Sequence, residues 1–178
     1  MLTTFNSKYI HTALALYSIA AFCRAGGRDI KVLEYTLDTP PQTALSDIFR
    51  ERPAVVGIAV YIWNRTLSLA LAAMIKRVLP EAAVVLGGPE VYHDMERVFF
   101  LCPETDFIVQ GEGEETFNEL LREREKGGDG RGVPGAAWKD ADGTLRREGG
   151  ARTLMDLSLL KFPYDLTGGA FSGRILYY

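Results

Sequence analysis

The sequence predicts an α/β fold: a doubly wound, open parallel sheet of five strands with helices on both faces, followed by a C-terminal β-hairpin and a linker. Three observations carry this expectation. Short β-rich runs alternate with helical stretches through most of the chain, as in consecutive β/α units. The third run, Ala54–Val60, is continuously apolar, as a central strand covered on both faces must be. The 178 residues are 47% hydrophobic and 24% charged, enough for one domain with a sizeable core plus a tail.

Met1–Phe5 reads as the first strand, and a largely apolar helix follows over about His11–Ala25, closing at Gly26-Gly27. Ile30–Tyr35 is the second strand. Thr39-Pro40-Pro41 then opens a short helix to about Arg50, with proline in its first turn. After the third strand, a helix over about Thr66–Val78 places Leu67, Leu71, Met74, Ile75 and Val78 on one face, and Pro80 ends it. Ala82–Leu86 is the fourth strand, and Cys102-Pro103 reads as a buried helix end. Asp106–Val109 is a short fifth strand, followed by an amphipathic helix over about Glu114–Glu125. Beyond the glycine-rich break Gly127–Gly132, Gly135–Lys139 and Thr144–Arg147 flank an Asp142-Gly143 turn and predict a hairpin. The domain reading is therefore 1–126 for the α/β unit, 127–150 for the hairpin extension and 151–178 for a linker, in which Pro163 blocks helix continuation.

The net charge of −3 offers no basic field, so direct nucleic-acid binding is not expected. No apolar run reaches the roughly 18 residues of a membrane span, and Met1–Phe5 lacks the charged start of a secretory signal. The two cysteines, Cys23 and Cys102, make neither a four-cysteine zinc site nor a disulfide framework, and suit a reducing cytoplasm.

In an open parallel sheet, ligands bind beyond the carboxyl ends of the strands, so the chemistry should lie in the loops that follow them. Those loops are Asn6-Ser7-Lys8-Tyr9-Ile10-His11, Tyr61-Ile62-Trp63-Asn64, Gly87-Gly88-Pro89-Glu90 and Gln110-Gly111-Glu112-Gly113-Glu114-Glu115-Thr116. Glycines there let main chain approach a ligand closely, and helix starts offer free N–H groups. Tyr61 and Trp63, two apart on an extended exit, would point the same way and suit a flat apolar ligand. Together these favour a broad organic cofactor over a small anion. Plainer roles stand beside these: Gly87-Gly88-Pro89 as a tight turn, Trp63 as a lid on the core, and His11 as a packing residue. Glu112, Glu114 and Glu115 also favour a helix N-terminus whatever the function. His93 has no partner at a metal spacing. Gly111-x-Gly113 follows the fifth strand rather than the first, with Thr116 where a third glycine belongs, which argues against a dinucleotide fingerprint. A phosphoacceptor site fails too, because Asn6 and Tyr61 occupy the positions where aspartates would be needed.

Four segments, Asn6–Thr12, Tyr61–Asn64, Gly87–Val91 and Gly111–Phe117, resemble the N-terminal cobalamin-binding domain of cobalamin-dependent radical S-adenosylmethionine proteins. The resemblance covers about Met1 to Glu125, with Phe162-Pro163-Tyr164 and the last strand matching the stretch before a catalytic barrel. It implies a flavodoxin-like strand order 2-1-3-4-5, with cobalamin across the carboxyl edge and its nucleotide tail inside the fold. By this resemblance Asn6, Ser7, Tyr9 and His11 belong to the first cofactor loop, and Tyr61, Trp63 and Asn64 cover the lower corrin face. Gly87, Gly88, Pro89 and Glu90 hold the nucleotide tail, and Gly88→Val is expected to block it. Gly111, Glu112 and Gly113 bond corrin side chains, and Thr116 is a further cofactor-binding residue.

In the methionine-synthase type of domain, an Asp-x-His-x-x-Gly motif supplies a lower ligand to cobalt. Here Asn6, Lys8 and His11 stand at those three places, which implies a base-off, histidine-off mode with no metal ligand from the protein. The family's barrel carries a Cys-x-x-x-Cys-x-x-Cys motif for a 4Fe-4S cluster that binds S-adenosylmethionine. Cys23 and Cys102 do not form it, and Arg174–Tyr178 falls where the barrel's first strand is expected to begin. The expected role is thus a cytoplasmic, non-catalytic cofactor module. Its partner would be a radical S-adenosylmethionine barrel of the same parent chain, in all expectation a methyltransferase of unidentified substrate. A degenerate scaffold that binds no cofactor and a nucleotide- or flavin-binding module are the alternatives.

Overall fold

The computed structural model describes residues 1–9, 11–153, 156–164 and 171–177. Ile10 of the first loop, residues 154–155 and 165–170 of the expected linker, and Tyr178 of the expected last strand lie outside the described residues.

Six helices and seven strands follow in the order β1 (Leu2–Asn6), α1 (Leu14–Ala25), β2 (Val32–Thr36), α2 (Pro41–Glu51), β3 (Val55–Ala59), α3 (Arg65–Val78), β4 (Ala83–Gly87), α4 (Pro89–Tyr92), α5 (Met95–Leu101), β5 (Phe107–Val109), α6 (Gly113–Glu125), β6 (Ala136–Lys139) and β7 (Leu145–Arg147) among the described residues. One sheet holds every strand, in the order β2-β1-β3-β4-β5-β6-β7. The first five are parallel in the predicted 2-1-3-4-5 order.

The sheet is apolar on both sides because alternate residues of each strand face opposite layers. Val56, Ile58, Val84, Leu86 and Ile108 join a core with Ile48 of α2, Leu71 and Ile75 of α3 and Val98 of α5. Val55, Ala59, Ala83, Val85 and Val109 join a second core with Leu16 and Ala20 of α1 and Phe117 and Leu120 of α6. This doubly covered arrangement explains the continuous apolar runs in β3 and β4. None of the described helices is long and apolar enough to cross a membrane.

Three expectations change. The sheet has seven strands rather than five, because the hairpin joins it: β6 pairs antiparallel with β5 through Ile108↔Ala137 and Val109↔Ala136. Three-residue β5 would otherwise present an exposed edge. Ala136 and Ala137, both fully buried, let β6 lie flat against the two cores. The segment expected as a last strand makes a single parallel bridge, Ile175 to His11, instead of a described strand. The first helix also begins later than expected, at Leu14, because the Ala13 N–H donates to Glu34 Oε1 and holds residues before it in the loop.

Both cysteines are buried. Burial pushes the Cys23 thiol from its ordinary 9.0 to about 12 and raises that of Cys102 as well. The Tyr17 and Tyr35 hydroxyls are also raised, first by burial and then by the neighbouring carboxylates of Glu34 and Asp47. The unfolded chain therefore loses these protons at lower pH than the folded one. Stability present below about pH 9 should fall as pH rises from 9.0 toward about 12. Urea midpoints across that window should decline steadily. A thiol-reactive dye at pH 8 should label neither cysteine until denaturant is added.

Candidate functional site

β1 is flanked by β2 on one side and β3 on the other, so strand order reverses there and the two strand exits part at the carboxyl edge. Asn64 sits in that crevice, fully buried. Its Oδ1 accepts from Tyr61 N–H at 2.8 Å. Its Nδ2 faces Thr4 Oγ1, Phe5 O and Ala59 O at 3.0, 3.0 and 3.2 Å. An asparagine just before a helix reads as a cap from sequence. Here it precedes α3 but makes no side-chain cap, its amide being turned inward to satisfy strand-end carbonyls. Asn64 is thus part of the scaffold beneath the site.

The bond to Tyr61 N–H, with Asn64 N–H returning to Tyr61 O at 3.1 Å, closes a turn instead of the extended exit expected from sequence. That turn stacks Tyr61 on Trp63, their ring centroids 4.8 Å apart and planes 7° from parallel. Trp63 is 49% exposed and Ile62 76%, giving an apolar plate at the sheet edge. Burial raises the Tyr61 hydroxyl above its ordinary pKa, so it stays neutral.

Beside this plate a cavity of about 300 Å³ runs down between α1, α6 and the ends of β3, β4 and β5. Its wall is mostly apolar: Leu16 and Ile19 of α1, Val85, Val109 and Phe117, with Tyr61 at the mouth. Gly87, Gly88, Pro89, Gly111, Glu112 and Gly113 form the rim on the β4 and β5 side. Seven predicted residues therefore converge on one cavity. The volume lies at the small end of organic-ligand pockets, which run roughly 300–1,000 Å³. Leu16, Ile19 and Phe117 were not expected there, since helix positions facing the sheet read simply as core.

Two rim glycines are fixed by neighbouring backbone. Gly88 has φ +106°, and a Cβ there would lie 2.5 Å from Val60 O. Val60 N–H donates to Gly87 O at 2.7 Å, tying this turn to the exit of β3. Gly111 has φ +75°, and a Cβ would strike the backbone of Arg152. Arg152 pairs with Gly111 in a parallel bridge and receives the Glu112 N–H on its carbonyl at 2.8 Å, so that N–H is not free for a ligand. Gly87 differs: a Cβ there would meet nothing closer than Val109 at 3.9 Å and would enter the cavity. The expected effect of Gly88→Val is accordingly a broken turn rather than a filled pocket.

The other predicted residues do not line the cavity. Asn6 donates from Nδ2 to Glu34 Oε1 at 2.8 Å and to His11 O at 3.0 Å. Ser7 and Tyr9 lie exposed on the first loop. His11 shares a hydrogen bond between Nδ1 and the Tyr177 hydroxyl and stacks on that ring. Glu90 is half-buried on α4. Thr116 is buried and donates to Pro134 O at 3.0 Å, anchoring the approach to β6. Among the described residues, no three His, Cys, Asp or Glu side chains converge as a metal site.

Truncating Asn64 strips hydrogen bonds from buried strand-end carbonyls, each costing about 1–3 kcal/mol when left unpaired. Asn64→Ala should lose about 2–4 kcal/mol in urea denaturation. Asn64→Asp should lose at least as much, because a carboxylate would face the Phe5 and Ala59 carbonyls.

The family model described as B12 binding domain matches residues 2–121. An uncharacterised methyltransferase of Pyrococcus horikoshii is 29% identical over 140 residues, covering 78% of this chain and 30% of that protein. The cobalamin-dependent radical SAM methyltransferase TokK of Streptomyces tokunonensis is 36% identical over 72 residues, covering 40% of this chain and 11% of that protein. Among solved structures, the radical S-adenosylmethionine methyltransferase TsrM of Kitasatospora setae, with cobalamin and a [4Fe-4S] cluster bound, superposes with a TM-score of 0.71. It is 23% identical, with 92% of this chain and 30% of that one covered, a likeness of fold. This chain spans less than a third of the length of each of these proteins. With two thirds of its residues inside the matched family and its cavity at the carboxyl edge of the sheet, the chain belongs to the B12-binding domain family.

Proposed function

We propose that the chain is the cobalamin-binding module of a radical S-adenosylmethionine methyltransferase, holding the cofactor base-off and without a protein ligand to cobalt. The carrying observation is the apolar cavity of about 300 Å³ that opens between the glycine rim and the Tyr61–Trp63 plate. A flat macrocycle with one slender tail needs that combination: a plate for the ring and a narrow dry shaft for the tail. The residues fit the group. Gly87 leaves room that any side chain would fill, and Leu16, Ile19, Val109 and Phe117 present no polar atom to a heteroaromatic base.

In this reading Gly87, Gly88 and Pro89 hold the nucleotide tail, and Gly111 and Gly113 approach the corrin amides. Tyr61 and Trp63 exclude water beneath the lower face. Asn64 and Thr116 act behind them by fixing the loops. His11 is engaged with Tyr177, and Lys8 stands where a ligating histidine would be, which supports an unligated lower face. When bound, the cofactor supplies a cobalt centre able to change oxidation state and carry a methyl group. The protein's part is to bind, orient and keep that face dry. Residues 1–126 would be the binding unit, with 127–150 as its extension and 151–178 leading toward the cluster-bearing barrel.

Titration with hydroxocobalamin, followed by visible absorbance and co-elution, tests the reading. Wild type should bind, and Gly87→Val should weaken binding by about 30-fold or more with an unchanged urea midpoint. His11→Ala should leave the electron paramagnetic resonance spectrum of the reduced, cob(II)alamin form unaltered, with no splitting from an axial nitrogen in either protein. Absence of binding by wild type would favour a cofactor-free scaffold, and an axial nitrogen signal lost in His11→Ala would contradict the histidine-off mode.

A further inference from the structure

One buried ion pair lies outside everything assigned so far. Glu34 of β2 is 5% exposed in its side chain, and Arg174, far along the chain, is 8% exposed. Their charged groups meet at 2.7 Å. A buried pair is favoured when further hydrogen bonds satisfy its groups, a condition the carboxylate meets fully and the guanidinium in part, its Nε being buried without a partner among the described residues. Glu34 meets that condition: Oε1 accepts from Asn6 Nδ2 at 2.8 Å and Ala13 N–H at 2.7 Å, and Oε2 accepts from the Tyr17 hydroxyl at 2.7 Å. Arg174 donates from Nη2 to His11 O at 2.6 Å, and its guanidinium lies 5.2 Å over the Tyr9 ring.

These partners are the end of β1, the loop after it and the start of α1. The same loop is held at His11 and Thr12 by the described part of the C-terminal segment. Thr12 Oγ1 donates to Ile175 O at 3.0 Å, Ile175 bridges His11, and Tyr164 donates its hydroxyl proton to Tyr177 O at 2.9 Å. Phe171 packs edge-on against Tyr17 at 5.2 Å and Tyr164 at 5.1 Å. The loop itself exposes Ser7, Lys8 and Tyr9.

We propose that Glu34 and Arg174 are positioning residues for cofactor binding: their pair latches segment 171–177 onto the first loop, which stays outside the cavity but continues the end of β1 that Asn64 ties to the Tyr61 turn, and so fixes that side of the site. The cofactor half of this proposal rests on the cobalamin reading above; the latch itself rests on the contacts alone. Displacement of the segment would be transmitted to the loop through the Arg174–His11 and Glu34–Ala13 bonds.

Hydrogen exchange on the whole 178-residue chain, with hydroxocobalamin affinity measured in parallel, tests both halves. In Arg174→Met, exchange in the peptide spanning residues 8–16 should quicken by about tenfold or more while β3 and β4 keep their protection. The dissociation constant should rise by about tenfold. Glu34→Gln should act in the same direction, and the double variant should be no worse than Arg174→Met alone, as coupled residues require. Unchanged exchange in Arg174→Met would overturn the latch. Faster exchange with unchanged affinity would overturn the positioning role and leave the cobalamin reading intact. Failure of wild type to bind would overturn both the reading and the positioning role, with the exchange data still reporting the latch.

Discussion

Parting two parallel strands strands their last carbonyls inside the protein, and the amide of Asn64 is what makes that parting tolerable here. The β1–β3 register ends at Thr3↔Ile58, and beyond it the buried residues Phe5 and Ala59 each offer a carbonyl to the Asn64 amide. One side chain serves both, and Thr4 Oγ1 adds a second donor to Ala59 O. The other end of the same amide accepts from Tyr61 N–H, so the group that keeps the crevice open also folds the turn that stacks Trp63 on Tyr61. Crevice and aromatic plate are tied together by one set of hydrogen bonds.

The rest of the edge divides its work between backbone and apolar side chains. Gly88 and Gly111 are glycine because neighbouring main chain, at Val60 and Arg152, occupies the space of a side chain. Gly87 and the cavity wall instead leave space unfilled. Close packing would normally fill such a volume, since lost contacts weaken a core. An apolar-walled cavity of about 300 Å³ at the carboxyl edge of the sheet is the space on which the proposed cofactor reading rests.

Much of this was legible in the residues. The continuous apolar runs at Ala54–Val60 and Ala82–Leu86 specify strands covered on both faces, and the glycine-bearing loops after β4 and β5 do meet at one cavity. What stayed hidden were long-range partnerships. Nothing local in Ala136-Ala137-Trp138 says that it will complete the edge beside β5 rather than stand apart. Asn64 and Thr116 have the residue types of ligand-binding loops, yet their polar atoms are directed at buried backbone, a choice set by the parted strands and by Pro134. Glu34 in a strand pattern reads as a solvent-facing position; only the approach of Arg174 and three hydrogen-bond donors makes it a buried hub. In each case at least one deciding partner (Ile108 for Ala137, Phe5 for Asn64, Pro134 for Thr116, Arg174 for Glu34) lies well away in sequence, where periodicity carries no information.

The most direct measurement is a crystal structure of the chain grown with hydroxocobalamin. The account requires the nucleotide tail in the shaft between Gly87, Gly113 and Phe117, the corrin seated over the Tyr61–Trp63 pair, and no protein nitrogen bonded to cobalt. A cofactor bound elsewhere on the surface, or His11 released from Tyr177 and ligating the metal, would contradict it.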